Sequence, residues 1–149
     1  AHSPEGITRE DIEALVTPVT EARAFDLAGR ILSRDYTAAL GTIDDLIFLK
    51  ETPVSILTIL TMSFVDMYRA AIAKRAGIPD AAARKALGYG SAYRYEQAVM
   101  NQRKFSLPAL EDILELLAEA DSRCKSTGID AKVVLETTVA EIFRRMERP

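Results

Sequence analysis

FSLPALEDILELLAEADSRCKSTGIDAKVVLE, Phe105 to Glu136, decides the fold. Ser106 stands where a helix cap belongs and Pro108 falls in the first turn. Leu110, Ile113, Leu114 and Leu117 then recur at the spacing of one buried helical stripe. Asp121 and Lys125 are four residues apart, an intrahelical ion pair worth a few tenths of a kcal/mol. Gly128 closes this helix and Asp130 caps another, which turns Ala131, Val134, Leu135, Thr138, Val139, Ile142 and Met146 inward. Two amphipathic helices joined by a short polar turn form an assembly element and do not lay out an active site.

The same period runs outward through the chain. Thr8 caps a first helix, with Glu10 and Asp11 at its positive end, and Pro18 bounds it. A second helix is expected over Glu21 to Ser33, with Phe25, Ala28 and Leu32 on one face and Leu27 and Ile31 beside them. Asp35 caps a third that reaches Lys50 and aligns Tyr36, Ala39, Leu40, Ile43, Leu46 and Ile47, while Ala39 and Gly41 offer close helix approach. Pro53 opens a long helix that continues to Ala76. Its middle, Ile56 to Met67, is apolar on most of its circumference, which predicts the central element. A short helix ends near Leu87, and Gly88 and Gly90 flank a permissive turn before a helix from Ser91 to about Lys104. No alternating run is long enough for a strand, so the fold class is all-α, a bundle of about six to eight helices. The helix pair over Glu21 to Lys50 has the look of a tetratricopeptide hairpin, but no second copy follows at a fixed period.

At 149 residues with 48% hydrophobic and 28% charged side chains, the chain supports one main core. The net charge of -3 hides a division. From Arg69 to Phe105 eight basic residues face only Asp80 and Glu96, a local charge of +6 that leaves -9 elsewhere. Cys124 is the only cysteine and His2 the only histidine, which argues against an internal disulfide, a multi-cysteine zinc site and a cofactor pocket built on such ligands. Residues 1–5 read as a tag remnant, and a reducing cytoplasm is the expected compartment. The apolar run Val54 to Val65 falls short of the ~20 residues of a membrane span.

Candidate chemistry meets plainer readings. Asp44-Asp45 and Glu111-Asp112 are adjacent carboxylates that point ~100° apart on a helix, as on a solvated face. Cys124 lies between Arg123 and Lys125, which could lower its pKa, but it lacks a histidine partner and reads as a packing thiol. Lys125-Ser126 has neither the glycines nor the strand of a P-loop. No catalytic, cofactor-binding or metal site is therefore assigned. Pro79 to Val99 could be a helix-turn-helix reader of DNA with Arg94 near the groove, and Tyr89, Tyr93, Tyr95 and Phe105 could form a stacking platform for bases, although Phe105 reads better as core. Arg84, Lys85, Arg94, Lys104 and Lys125 are the candidate contacts to nucleic acid or to a partner subunit.

Several spellings, in order, resemble one family. Gly6-Ile7-Thr8, Glu10-Asp11-Ile12 and Leu15-Val16 come first, then Phe25-Asp26-Leu27, Ile31-Leu32, Ala39-Leu40 and Leu46. Pro53, Ile56-Leu57, Leu60, Leu87-Gly88, Gln102-Arg103 and Phe105-Ser106 follow, and the series closes on Leu110, Ala120-Asp121, Lys125 and Leu135-Glu136. Together they resemble the C-terminal part of the delta subunit of the bacterial DNA polymerase III clamp loader. The resemblance implies the end of an AAA+ lid domain at residues 6–17 and a helical collar domain at residues 18–149. It further implies a non-catalytic part of the DNA polymerase III holoenzyme, which packs beside gamma/tau and delta-prime and serves clamp loading in DNA replication. Clamp contact is implied only through an N-terminal module not represented in these residues, and primer-template DNA is a candidate further partner.

Overall fold

In the computed structural model, residues 23, 25–126 and 128–147 are described. They contain seven helices: α1 (25–32), α2 (Tyr36–Phe48), α3 (Pro53–Arg75), α4 (Asp80–Ala86), α5 (Ala92–Gln102), α6 (Leu107–Cys124) and α7 (Ala131–Glu147). The expected all-α bundle is the fold observed. Thr8, Pro18 and the proposed lid segment lie outside the described residues.

Capping chemistry explains the boundaries. Asp35 Oδ1 accepts from Ala38 N at 3.0 Å, Thr52 Oγ1 from Ser55 N at 3.1 Å and Ser106 Oγ from Ala109 N at 3.2 Å. Asp130 Oδ1 accepts from Lys132 N at 2.9 Å at the start of α7. Each bond satisfies a donor that the first turn leaves without a helical partner. At the other ends, Arg34, Lys50, Gly77 and Gly88 take positive φ. The next amide then reaches back over the last turn, as Ile78 N does to Ala73 O at 3.0 Å and Tyr89 N to Arg84 O at 3.1 Å. Glycine makes this conformation cheap at two of the four sites. At Arg34 the side chain crosses to the end of α7, where Nη2 donates to Met146 O at 3.2 Å.

α3 is the axis, and α2, α4, α5, α6 and α7 all touch it. Its 23 residues are long and apolar enough to cross a bilayer, by length and composition alone. Here that apolarity is used inside a bundle: Ile56, Leu57, Leu60, Phe64 and Met67 are buried. The hydroxyls of Thr58 and Thr61 return to the carbonyls of Val54 and Leu57, at 2.9 and 2.8 Å, so these polar side chains need no outside partner.

Two cores share this axis. The larger joins Leu27 and Ile31 of α1, Ile43 and Leu46 of α2 and the first two-thirds of α3 to Leu110, Ile113 and Leu117 of α6 and Leu135, Val139 and Ile142 of α7. Phe64 and Phe105 meet edge to face in it at 5.9 Å, so Phe105 is a packing residue. The smaller core consists of Ala70, Ala73, Ala83, Tyr95, Ala98 and Val99 and fixes α4 and α5 to the last third of α3.

Three local expectations change. Phe25 is 39% exposed, because the buried face of α1 centres on Leu27 and Ile31. Gly41 is exposed and a Cβ there would meet nothing within 4 Å, so it mediates no close helix approach. Gly88 alone uses left-handed backbone in the turn before α5, while Gly90 does not.

Candidate subunit-contact surfaces and a buried acidic anchor

Asp66 is the one charged side chain buried among the described residues, at 4% exposure. It lies on the inner face of α3, where an isolated carboxylate would be strongly disfavoured. Two residues of the following segment satisfy it. Arg94 Nε donates to Oδ2 at 2.7 Å and Nη2 to Oδ1 at 3.0 Å, a two-pronged ion pair across 28 positions of sequence. Tyr89 OH donates to Oδ1 at 2.5 Å. The guanidinium also lies 5.1 Å from the centre of the Tyr89 ring. Arg94 is held further toward its charged form by the bond to Asp66, and the Tyr89 phenol is pushed up first by burial and then by the same carboxylate.

This arrangement is a clamp between helices. It pins the start of α5 and the turn before it onto α3, next to a core of four alanines, Tyr95 and Val99. A groove of about 560 Å³ opens beside it, with Met62, Val65, Leu114 and Leu117 on its floor and Arg69 and Asp121 among its polar lining.

The five candidate contact residues do not form one site. Arg84 and Lys85 stand in the last turn of α4, with Lys85 exposed and Arg84 partly covered. Arg94 is committed to Asp66. Lys104 follows α5 and precedes Phe105, beside the larger core. Lys125 caps α6, where its Nζ lies 2.8 Å from Asp121 Oδ2, the intrahelical pair that the spacing predicts.

The stacking platform is not assembled. Tyr95 is buried in the smaller core, Tyr89 is turned to Asp66, Phe105 packs on Phe64, and of the four only Tyr93 stands out, at 71% exposure. With α4 only seven residues long and Arg94 drawn inward, the helix-turn-helix reading is not favoured. Burial and then Asp121 push the Cys124 thiol up, against the lowering expected from its basic neighbours. Its sulfur lies 3.8 Å from Ala131 O, consistent with packing.

Asp66 was missed in the sequence. The available signal was its position as the only charge between Glu51 and Arg69, inside the most apolar helix. A second missed feature is apolar exposure at one end of α2 and α7. Tyr36 meets Phe143 at 5.2 Å and Asp44 meets Lys132 at 3.1 Å, so the two helices run antiparallel. One turn beyond Asp44, Phe48 is 84% exposed, and Ile129 and Val133 flank Lys132 with exposed side chains.

Among the described residues the chain is a strand-free helical bundle with an internal charged clamp and an apolar end open to solvent. A family profile described as "DNA polymerase III delta subunit, C-terminal domain" matches residues 21–142, and the chain belongs to that family. It is similar to the DNA polymerase III subunit delta of Bacillus subtilis, at 26% identity over 144 residues, which is 97% of this chain and 41% of that protein. The structure resembles the Bacillus subtilis DNA clamp loader delta protein with a TM-score of 0.79 and 24% identity, over 91% of this chain and 40% of the other. That likeness shows the shared fold. The chain thus spans about two-fifths of the length of the relatives it matches.

Proposed function

We propose that this domain is the collar part of a clamp-loader delta subunit and acts by non-catalytic assembly. In this reading it packs beside the C-terminal domains of gamma/tau and delta-prime, within the cytoplasmic DNA polymerase III holoenzyme, and so supports loading of the sliding clamp. Contact with the clamp itself is assigned to the N-terminal module of the family and not to these helices. The observation that carries the reading is the family match across residues 21–142. The physical support is the solvent-exposed apolar end of α2 and α7, since a large ring such as that of Phe48 in water is the kind of anchor that a partner surface covers.

A pull-down of the chain with the gamma/tau and delta-prime subunits tests it. Retention is expected, and Phe48→Asp should weaken it at least ~10-fold, because a charge would then have to be desolvated inside the contact. Failure of the wild-type chain to bind either subunit would overturn the proposal.

A further inference from the structure

The groove beside the Asp66 clamp shares no residue with the exposed end of α2 and α7. Its direction follows from one contact. Tyr68 OH donates to Glu111 Oε1 at 3.5 Å, which sets the start of α6 beside the Arg69 end of α3. Asp121, about 15 Å further along α6, lines the same groove as Thr58, so the two helices run antiparallel and Asp121 stands at the Thr58 end. Between the ends the floor is apolar. Met62 is exposed, Val65 and Leu114 are half-buried, and the hydroxyls of Thr58 and Thr61 are turned back to carbonyls of their own helix. At the other end, Asp66 takes Nε and Nη2 of Arg94 and leaves Nη1 without a bond among the described residues. Arg69 is exposed at that end and makes no ion pair among the described residues. It stands near the clamp: burial pushes the Tyr89 phenol up, and Arg69 pulls against it. Two guanidinium groups thus face one carboxylate, a surplus of positive charge at the head of an apolar groove.

From this we infer that the groove docks a single amphipathic helix of a partner protein, which lays apolar side chains on Met62, Val65 and Leu114 and a carboxylate on Arg69 and the free Nη1 of Arg94. The length fits. From Thr58 to Arg69 the groove follows α3 for about 16 Å, three turns of a helix, which is the span of anchors at i, i+4 and i+7. The charge fits as well, because forked guanidinium donors bind carboxylates with direction as well as attraction. The bonds to Asp66 hold Arg94 in place before the partner arrives, so little ordering cost is left to binding. A nucleic acid is a poorer occupant: its phosphates would lie over an apolar floor and against Asp121.

This surface lies beyond the proposed collar contact and can fail independently of it. A phage library of random helical peptides, selected on the wild-type chain and counter-selected on Met62→Asp, reads the preference directly. The enriched peptides should carry Leu, Ile, Met or Phe along one face and Asp or Glu at one end of it. In fluorescence anisotropy with a labelled peptide from that pool, Arg69→Gln should weaken binding at least ~10-fold, the loss expected for a charged hydrogen bond. Changing the peptide's acid to its amide should weaken binding to the wild-type chain equally and cost Arg69→Gln nothing further, because the two changes remove the same contact. Phe48→Asp should bind the peptide as the wild type does, and Met62→Asp and Arg69→Gln should keep gamma/tau and delta-prime in the pull-down. A pool without acids, a pool that Met62→Asp does not deplete, or an unchanged affinity in Arg69→Gln would overturn the inference. So would displacement of the peptide by gamma/tau or delta-prime, which would make the groove part of the collar contact.

Discussion

The two cores of this domain are built by opposite means. The larger is built mainly of Leu and Ile side chains, with Phe64 and Phe143, from five helices, while the smaller is four alanines, a valine and a tyrosine. Alanine buries little apolar area, so the smaller core yields little of the transfer free energy that dominates folding. The buried Asp66 clamp adds directional bonds to Arg94 and Tyr89, which fix the geometry of α5 on α3 and make loss of one partner costly. Large side chains stabilise by volume and tolerate small shifts. A charged clamp fixes one geometry, here that of α5 and the turn before it against α3.

Truncation and enlargement should separate the two regions. Phe64→Ala removes a fully buried ring from the larger core and its edge contact with Phe105, and should cost about 3–5 kcal/mol in urea unfolding. In the smaller core the largest effect should come from Arg94→Met, which leaves the buried carboxylate with Tyr89 alone. Breaking a fully buried pair costs ~3–5 kcal/mol, and because the Arg94 side chain is 38% exposed a smaller loss, about 2–3 kcal/mol, is expected. Hydrogen exchange should place that loss in α4 and α5 and leave the amides of α6 protected. Ala73→Leu comes third. It adds three carbons at a buried position of the smaller core, which costs about 1–3 kcal/mol where a core is well packed, and its thermal midpoint should fall less than that of Phe64→Ala. If Ala73→Leu instead stabilised the chain, the smaller core would be loosely packed and the contrast would fail.

What could be read from the sequence follows the range of the forces involved. Caps at Asp35, Ser106 and Asp130 act within a few residues, so their spelling is enough to find them. The stripe of Leu110, Ile113 and Leu117 was legible for the same reason, since a helical period is local. Asp66 was not, because nothing near it in sequence says that Arg94 will return to it. Phe25 and Phe48 mark another limit: both rings are exposed, yet a ring in a core and a ring in solvent share the same helical period. Arg94 shows the cost of reading charge alone, for it counts toward the basic segment yet is largely neutralised by its carboxylate partner. The family resemblance was legible because it rests on the order of many short spellings, and the profile match over residues 21–142 agrees with it.

The apolar end of α2 and α7, with Phe48, Ile129 and Val133 exposed, is the proposed assembly surface, and it lies apart from the cations of α4. The most direct test is co-purification with the gamma/tau and delta-prime subunits, measured side by side for the wild-type chain, Phe48→Asp, and Arg84→Gln with Lys85→Gln. The wild type and the α4 double variant should be retained equally, and Phe48→Asp should be lost. Equal retention of all three, or loss of the α4 variant alone, would contradict the account.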